Sequence, residues 1–185
     1  MTLQVLCQRC AAGDRFLFLR LAPIRTTAAG RIWNRGVSRL ADGPAYACLA
    51  VGALWMAGAA AAPFVLALGA GFALELPAYK WIKSRTRRPR PCHASLDRIN
   101  LMPVPDEYSF PSGHTAGAFV LAGVTLSFFP AWALPAFLYA LMVGYSRVYN
   151  RLHFPLDLFA GALLGLLCAG AGGMLVRLFT EGGLG

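Results

Sequence analysis

Apolar and polar positions alternate along this chain in blocks long enough to measure against a bilayer. From Pro44 to Leu74 no charged residue occurs, and Glu75 is the only one before Lys80. A single helix over residues 44–79 would be about 54 Å long, well beyond the ~30 Å that a hydrocarbon core requires. Two spans that turn near Pro63, about 44–61 and 63–79, fit better. Small residues such as Gly52, Gly58, Gly69 and Gly71 would let them pack closely in lipid. Further apolar runs follow at about 116–130, 131–145 and 158–176. The pattern predicts an all-α fold, an integral membrane bundle of about five transmembrane helices. Glu75, set inside the second span, is expected to face the bundle interior or to pair with a base from the loop that follows.

Residues 1–43 have a different pattern. Arginines recur at 9, 15, 20, 25, 31, 35 and 39, interleaved with Phe16, Leu17, Leu19, Leu21, Ile32, Trp33, Val37 and Leu40. No cleavable signal peptide is legible, because no small-residue site follows a basic start and an apolar run. The mixture predicts amphipathic helices on the membrane surface, broken near Pro23 and Gly30. Two units are therefore expected: a basic amphipathic segment over 1–43 and a membrane-embedded domain over 44–185.

Three polar segments punctuate the apolar runs. Residues 80–110 hold Lys80, Lys83, Arg85, Arg87, Arg88, Arg90 and Arg98, stiffened by Pro89, Pro91, Pro103 and Pro105. Like charges at that density repel unless something anionic is present, and for Arg85, Arg87 and Arg88 attraction to an anionic bilayer surface is explanation enough. His93, Asp106 and Glu107 carry no decisive signal. Pro111-Ser112-Gly113-His114 opens the third span. Ser112 is placed to cap a helix, Gly113 clears room for an anion at the free N–H groups of the helix start, and His114 could give a proton to a leaving oxygen.

The third segment, residues 146–157, is the most informative. Pro155 pre-sets a first helical turn, and Asp157 follows His153 by four residues, the spacing that brings two side chains together. A carboxylate that holds one imidazole nitrogen leaves the other free to attack. Arg147 adds a planar fork suited to phosphate oxygens. A headgroup anchor at a helix end would explain Arg147 and Arg151 but not the His–Asp pair. Counting crossings from the basic loop brings all three polar segments to one face of the bundle.

Composition agrees. Hydrophobic residues make up 57% and charged residues 14%, against roughly a quarter charged in an average soluble domain. The net charge of +9, with no nucleic-acid-binding motif present, suits anionic headgroups or a phosphorylated substrate and not nucleic acid. The cysteines at 7, 10, 48, 92 and 168 form no disulfide framework. Cys7-x-x-Cys10 lacks the second ligand pair that a zinc site needs. Acidic residues are few and unclustered, so no metal and no cofactor is expected.

Lys83, six residues, Arg90-Pro91; Pro111-Ser112-Gly113-His114; and Ser146-Arg147, five residues, His153, three residues, Asp157 together resemble the three-part phosphatase signature of the type 2 phosphatidic acid phosphatases. Vanadium-dependent haloperoxidases share that signature. The likeness runs from about Asp42 to the end of the fifth span, and jointly the motifs are highly specific. It implies His153 as a nucleophile that forms a phosphohistidine, Asp157 as its orienting partner, and His114 as the acid that protonates the leaving oxygen. Lys83, Arg90, Ser112, Gly113 and Arg147 would hold the phosphoryl oxygens. Such a site works without metal. One departure stands out: relatives commonly have six spans, whereas five are counted here.

The expected function is thus an integral-membrane lipid phosphatase acting on a phosphatidic acid, phosphatidylglycerophosphate or isoprenyl diphosphate class of substrate. Halide oxidation is disfavoured, because those relatives are soluble and much longer. A non-catalytic protein that binds or transports anionic lipid is the other class, and it leaves His114, His153 and Asp157 unexplained. With five spans, sixteen of the seventeen Lys and Arg fall on the site's face and only Arg177 on the other. That count favours the cytoplasmic face of a cell membrane, whereas a single crossing over residues 44–79 would put the N-terminus opposite the site and allow an external orientation. The sequence leaves the oligomeric state open.

Overall fold

The computed structural model describes residues 3–23, 26–92 and 106–181, with side chains from Arg9 to Thr180. His93, Arg98, Pro103 and Pro105 lie outside the described residues. Regular structure among those described is helical, apart from an isolated bridge between Pro89 and Tyr108 that ties the two ends of the polar loop together.

Helices α1 (Leu3–Leu21) and α2 (Ala28–Leu40) form the N-terminal segment, and the chain breaks between them around Pro23. Gly30 does not break it. That residue sits in the first turn of α2, where the Thr27 hydroxyl accepts its N–H at 3.0 Å. A Cβ on Gly30 would collide with the Tyr149 hydroxyl, so glycine permits close approach to a later helix. α2 turns Asn34, Val37 and Ser38 inward and leaves Ile32, Trp33 and Leu40 outside. Those exposed residues beside Arg31, Arg35 and Arg39 suit a membrane surface.

The long apolar stretch is a hairpin, as its length predicts. α3 (Gly43–Ala57) ends at Gly58, whose φ of +55° is a glycine conformation, and a 3₁₀ turn over Gly58–Ala61 leads into α4 (Ala62–Thr86). The reversal therefore precedes Pro63, which lies in the first turn of α4 where its missing N–H costs nothing. Tyr46 near the start of α3 meets the Phe72 ring at 4.9 Å, so the two helices run antiparallel. α4 continues through Pro77 to Thr86, beyond the apolar limit at residue 79. Hydropathy marks the membrane, whereas the helix carries its polar last turn out of it.

The remaining spans also outrun their apolar cores. They are α5 (Gly113–Phe128), α6 (Ala133–Tyr149) and α7 (Pro155–Glu181), with a 3₁₀ turn over Pro130–Trp132 between α5 and α6. α7 packs against both α4 and α5. Gly161 lets it do so, since a Cβ there would lie 2.5 Å from the Ser112 carbonyl oxygen. Ala67, Leu68, Val120, Val124, Cys168 and Ala169 form the dry seam. Trp55, Met56, Leu134, Phe159 and Phe179 point outward and are mostly exposed. In water that surface would be an aggregation hazard; in a bilayer it is the solvated face. Gly43–Thr86 and Pro155–Thr180 are each long and apolar enough to cross a membrane.

The starts of α3, α5 and α7 and the ends of α4 and α6 meet at one end of the bundle, joined there by α1 and α2. This arrangement places the site.

Candidate active site

Each polar segment enters this end through a local device. Ser112 caps α5, its Oγ accepting from the Thr115 N–H at 3.4 Å. Arg151, at φ +58°, reverses the chain after α6, and the Leu152 N–H returns to the Arg147 carbonyl at 3.0 Å. That reversal presents His153 just before α7. Pro155 then starts the helix, and Asp157 reaches back from the third position to accept the Phe154 N–H at 2.8 Å. This is one half of a capping box, so helix formation itself fixes the carboxylate.

Lys83, Arg90, Gly113, His114, Arg147 and His153 line one cleft of about 530 Å³. Ser112 and Asp157 are fully buried behind it. All eight sequence-predicted residues therefore converge, although they come from segments more than seventy positions apart. His153 is 1% exposed. Its Nε2 lies 3.1 Å from an Arg90 terminal nitrogen, and its Nδ1 lies 3.7 Å from Asp157 Oδ2 without a hydrogen-bond partner. The expected His–Asp pairing is thus a juxtaposition here, too long for a hydrogen bond. Burial, then the Arg147, Arg90 and Lys83 charges, holds the imidazole well below its ordinary pKa. A guanidinium can only donate, so the Nε2 that meets Arg90 presents its lone pair to it.

Asp106, which the sequence left undecided, organises two of those cations. One carboxylate oxygen takes Lys83 Nζ at 2.8 Å and the other takes Arg90 at 2.6 Å. Burial alone would raise this carboxyl, but the hydrogen bonds from Lys83 and Arg90 outweigh it and hold it ionised, below the usual range. Glu107 next to it is exposed. Arg147 donates to the Ser38 hydroxyl of α2, and its Nε has no partner. His114 Nε2 lies 2.9 Å from Asp42 Oδ1 at the start of α3. Asp42 and Ser38 could not have been picked from the sequence, because neither sits in a motif.

Arg88 corrects a sequence expectation. It is no surface-attraction residue: its two terminal nitrogens hold Asp157 Oδ1 at 2.7 Å and Asp14 Oδ2 at 2.6 Å. Arg85 and Arg87 remain exposed. Glu75 is 1% exposed and faces the interior, as expected. It lines the cleft, and its Oε1 meets no hydrogen-bond partner among the described residues.

Beyond the cations, Glu75 and the hydroxyl-bearing Tyr46 and Tyr79, the cleft is apolar. Ala47 and Ala50 of α3 face Val65, Leu68, Gly69, Phe72 and Leu76 of α4. A polar head with fixed cations at one end and an apolar gap between two helices at the other is the shape of a phosphorylated amphiphile.

Known proteins share this fold. A crystal structure of LpxE from Aquifex aeolicus superposes with a TM-score of 0.72 at 32% identity, covering 84% of this chain and 92% of that one. The first transmembrane PAP2 type phosphatidylglycerolphosphate phosphatase from Bacillus subtilis superposes at 0.71 with 25% identity, covering 94% and 87%. An undecaprenyl-diphosphatase of Sulfolobus acidocaldarius is 44% identical over 66 residues, which are 35% of this chain. That alignment spans about a third of the curated relative, 32% of its length. The sequence profile of the PAP2 superfamily matches residues 58–177, and the chain, a membrane protein, belongs to that superfamily.

Proposed function

We propose that this protein is a membrane lipid phosphatase that transfers the phosphoryl group to His153 and then to water. The observation that carries this reading is the buried His153, its Nε2 3.1 Å from Arg90, within a cleft that runs from fixed cations to an apolar gap between α3 and α4. A protein that merely binds anionic lipid has use for the cations but none for a buried imidazole set between Arg90 and Asp157.

The chemistry follows from the geometry. With the phosphoryl group among Lys83, Arg90, Arg147, Ser112 and the Gly113 amide, the Nε2 lone pair attacks phosphorus. The bond to the lipid oxygen breaks, and that oxygen takes a proton from His114. Asp157 accepts the Nδ1–H and balances the positive charge on the ring; the 3.7 Å gap has only to close by a fraction of an ångström. Water then attacks phosphorus, loses a proton to His114 and breaks the P–N bond. The cations oppose charge where it grows, which is the main source of rate for phosphoryl transfer. The gap between α3 and α4 receives the lipid chain. Named relatives act on undecaprenyl diphosphate and phosphatidylglycerolphosphate, and lipid monophosphates and diphosphates of these kinds are the substrate class.

Purified protein is expected to release inorganic phosphate from a panel of such lipids without added metal, and with a chelator present. Vanadate should inhibit by occupying the same cradle. Activity that appears only on adding magnesium, or no release from any panel member, defeats the proposal.

The out-and-back course of α3 and α4 supports five crossings, with the N-terminal segment on the site's side. Thirteen Lys and Arg beyond the three phosphate ligands then lie on that side against Arg177 on the other, which argues for a cytoplasmic face of a cell membrane. Glu107→Cys, in a background without the native cysteines, should resist a membrane-impermeant maleimide in intact cells and react once the membrane is opened. Labelling in intact cells places the site outside.

A further inference from the structure

We infer that Asp14 and Arg88 are positioning residues for the nucleophile, so that the N-terminal surface helix supplies part of the active site's charge balance. The inference rests on the phosphatase reading above. It concerns a helix outside the stretch that matches the superfamily, residues 58–177.

The contact chain is continuous. Asp14, on α1, is 5% exposed and uses both oxygens: Oδ2 takes Arg88 at 2.6 Å and Oδ1 accepts the Leu156 N–H at 2.8 Å. The other terminal nitrogen of Arg88 holds Asp157 Oδ1 at 2.7 Å. Asp157 Oδ2 is left facing His153 Nδ1 and the Phe154 N–H. The Arg88 guanidinium lies 4.3 Å from the centre of the Phe154 ring, and Phe18 of α1 packs edge-on against that ring at 5.3 Å. Aromatic packing therefore holds the guanidinium between its two carboxylates.

The charges explain why both acids are needed. When His153 bonds to phosphorus the ring becomes cationic, and Asp157 is its counter-ion. Arg88 fixes the direction of Asp157 but also cancels its charge. Asp14 cancels Arg88 in turn, so the three groups together present one net negative charge to the ring. Without Asp14 the trio is neutral, and the developing imidazolium has no net counter-charge in a buried site where such terms are screened little. Asp14 also grips the first turn of α7, so it aligns that helix and tunes its carboxylate at one contact.

Four variants test this, measured as kcat and KM on one lipid phosphate that the wild type hydrolyses, with circular dichroism to confirm folding. Asp14→Asn keeps the shape and can still accept the Leu156 N–H. Its kcat should fall roughly tenfold, the size of a coupling between contacting charged groups, with KM little changed because the phosphate ligands are untouched. Arg88→Gln should fall at least as far, since it leaves two buried carboxylates without their bridge. The double variant Asp14→Asn/Arg88→Gln restores one net negative charge, and its kcat should exceed that of either single variant. Arg88→Lys keeps the charge and should retain more activity than Arg88→Gln. A double variant whose loss is the product of the single losses overturns the inference, as does Asp14→Asn with wild-type kcat. If Asp14→Asn fails to fold, equal losses in Arg88→Lys and Arg88→Gln overturn it alone. Absence of turnover in the wild type would instead remove the phosphatase reading itself.

Discussion

His153→Ala is expected to lower turnover by at least about 10⁴-fold while the protein still folds and inserts, since removing a nucleophile generally removes most of the catalysis it anchors. The fold should tolerate it. Arg90, which faces His153 Nε2, keeps the Leu152 carbonyl at 2.9 Å and both Asp106 contacts. Vacating the imidazole therefore leaves no guanidinium nitrogen wholly without an acceptor. Substrate binding should survive, because Lys83, Arg90 and Arg147 remain. Rapid quenching of wild type with ³²P-labelled substrate should trap acid-labile label on the protein, and His153→Ala should trap none. Near-normal turnover in a folded His153→Ala protein, or label persisting on it, would move the nucleophile elsewhere.

What the sequence disclosed follows from what each signal encodes. Hydropathy located the apolar spans because lipid imposes one requirement on every residue within it. It misplaced the helix ends, since α4, α6 and α7 carry polar turns past the apolar limit to reach the site. The hairpin is legible from length, but the sequence points to Pro63 for a turn that falls at Gly58, because a proline is equally at home one residue inside a helix. The motif residues converge because each lies at a helix end on the same side, which a count of crossings can give.

The partners of those residues are another matter. Asp14, Ser38 and Asp42 come from elements whose sequence reads as a basic surface segment, and nothing in their spacing points at residues far along the chain. Arg88 was hidden among neighbours of the same charge, of which Arg85 and Arg87 are indeed exposed. Asp106 reads as one acid in a basic loop, and its bridging of Lys83 and Arg90 is set by the fold. Pairings over long sequence separation are set by packing, and packing is what a single sequence carries least visibly.

His114→Ala is expected to discriminate between substrates by their leaving groups. A lipid alkoxide is a poor leaving group and needs a proton as the P–O bond breaks, so its kcat/KM should fall by about 10³-fold, within the usual range for a positioned acid. An aryl phosphate, whose phenolate leaves readily, should lose roughly tenfold or less in the same step. Loss of His114 also slows the attack of water in the second step. The aryl substrate should therefore show a burst of phenol equal to the enzyme present, followed by slow turnover. Asp42 enters through its 2.9 Å contact with His114 Nε2. This carboxylate holds the ring in place for the proton transfer. It is half exposed, so water screens it, and Asp42→Asn should show the same preference for aryl over alkyl substrates at a smaller size, roughly tenfold. Equal losses on alkyl and aryl phosphates in His114→Ala, with no burst, would assign the imidazole to phosphate binding and leave the leaving oxygen to take its proton from water.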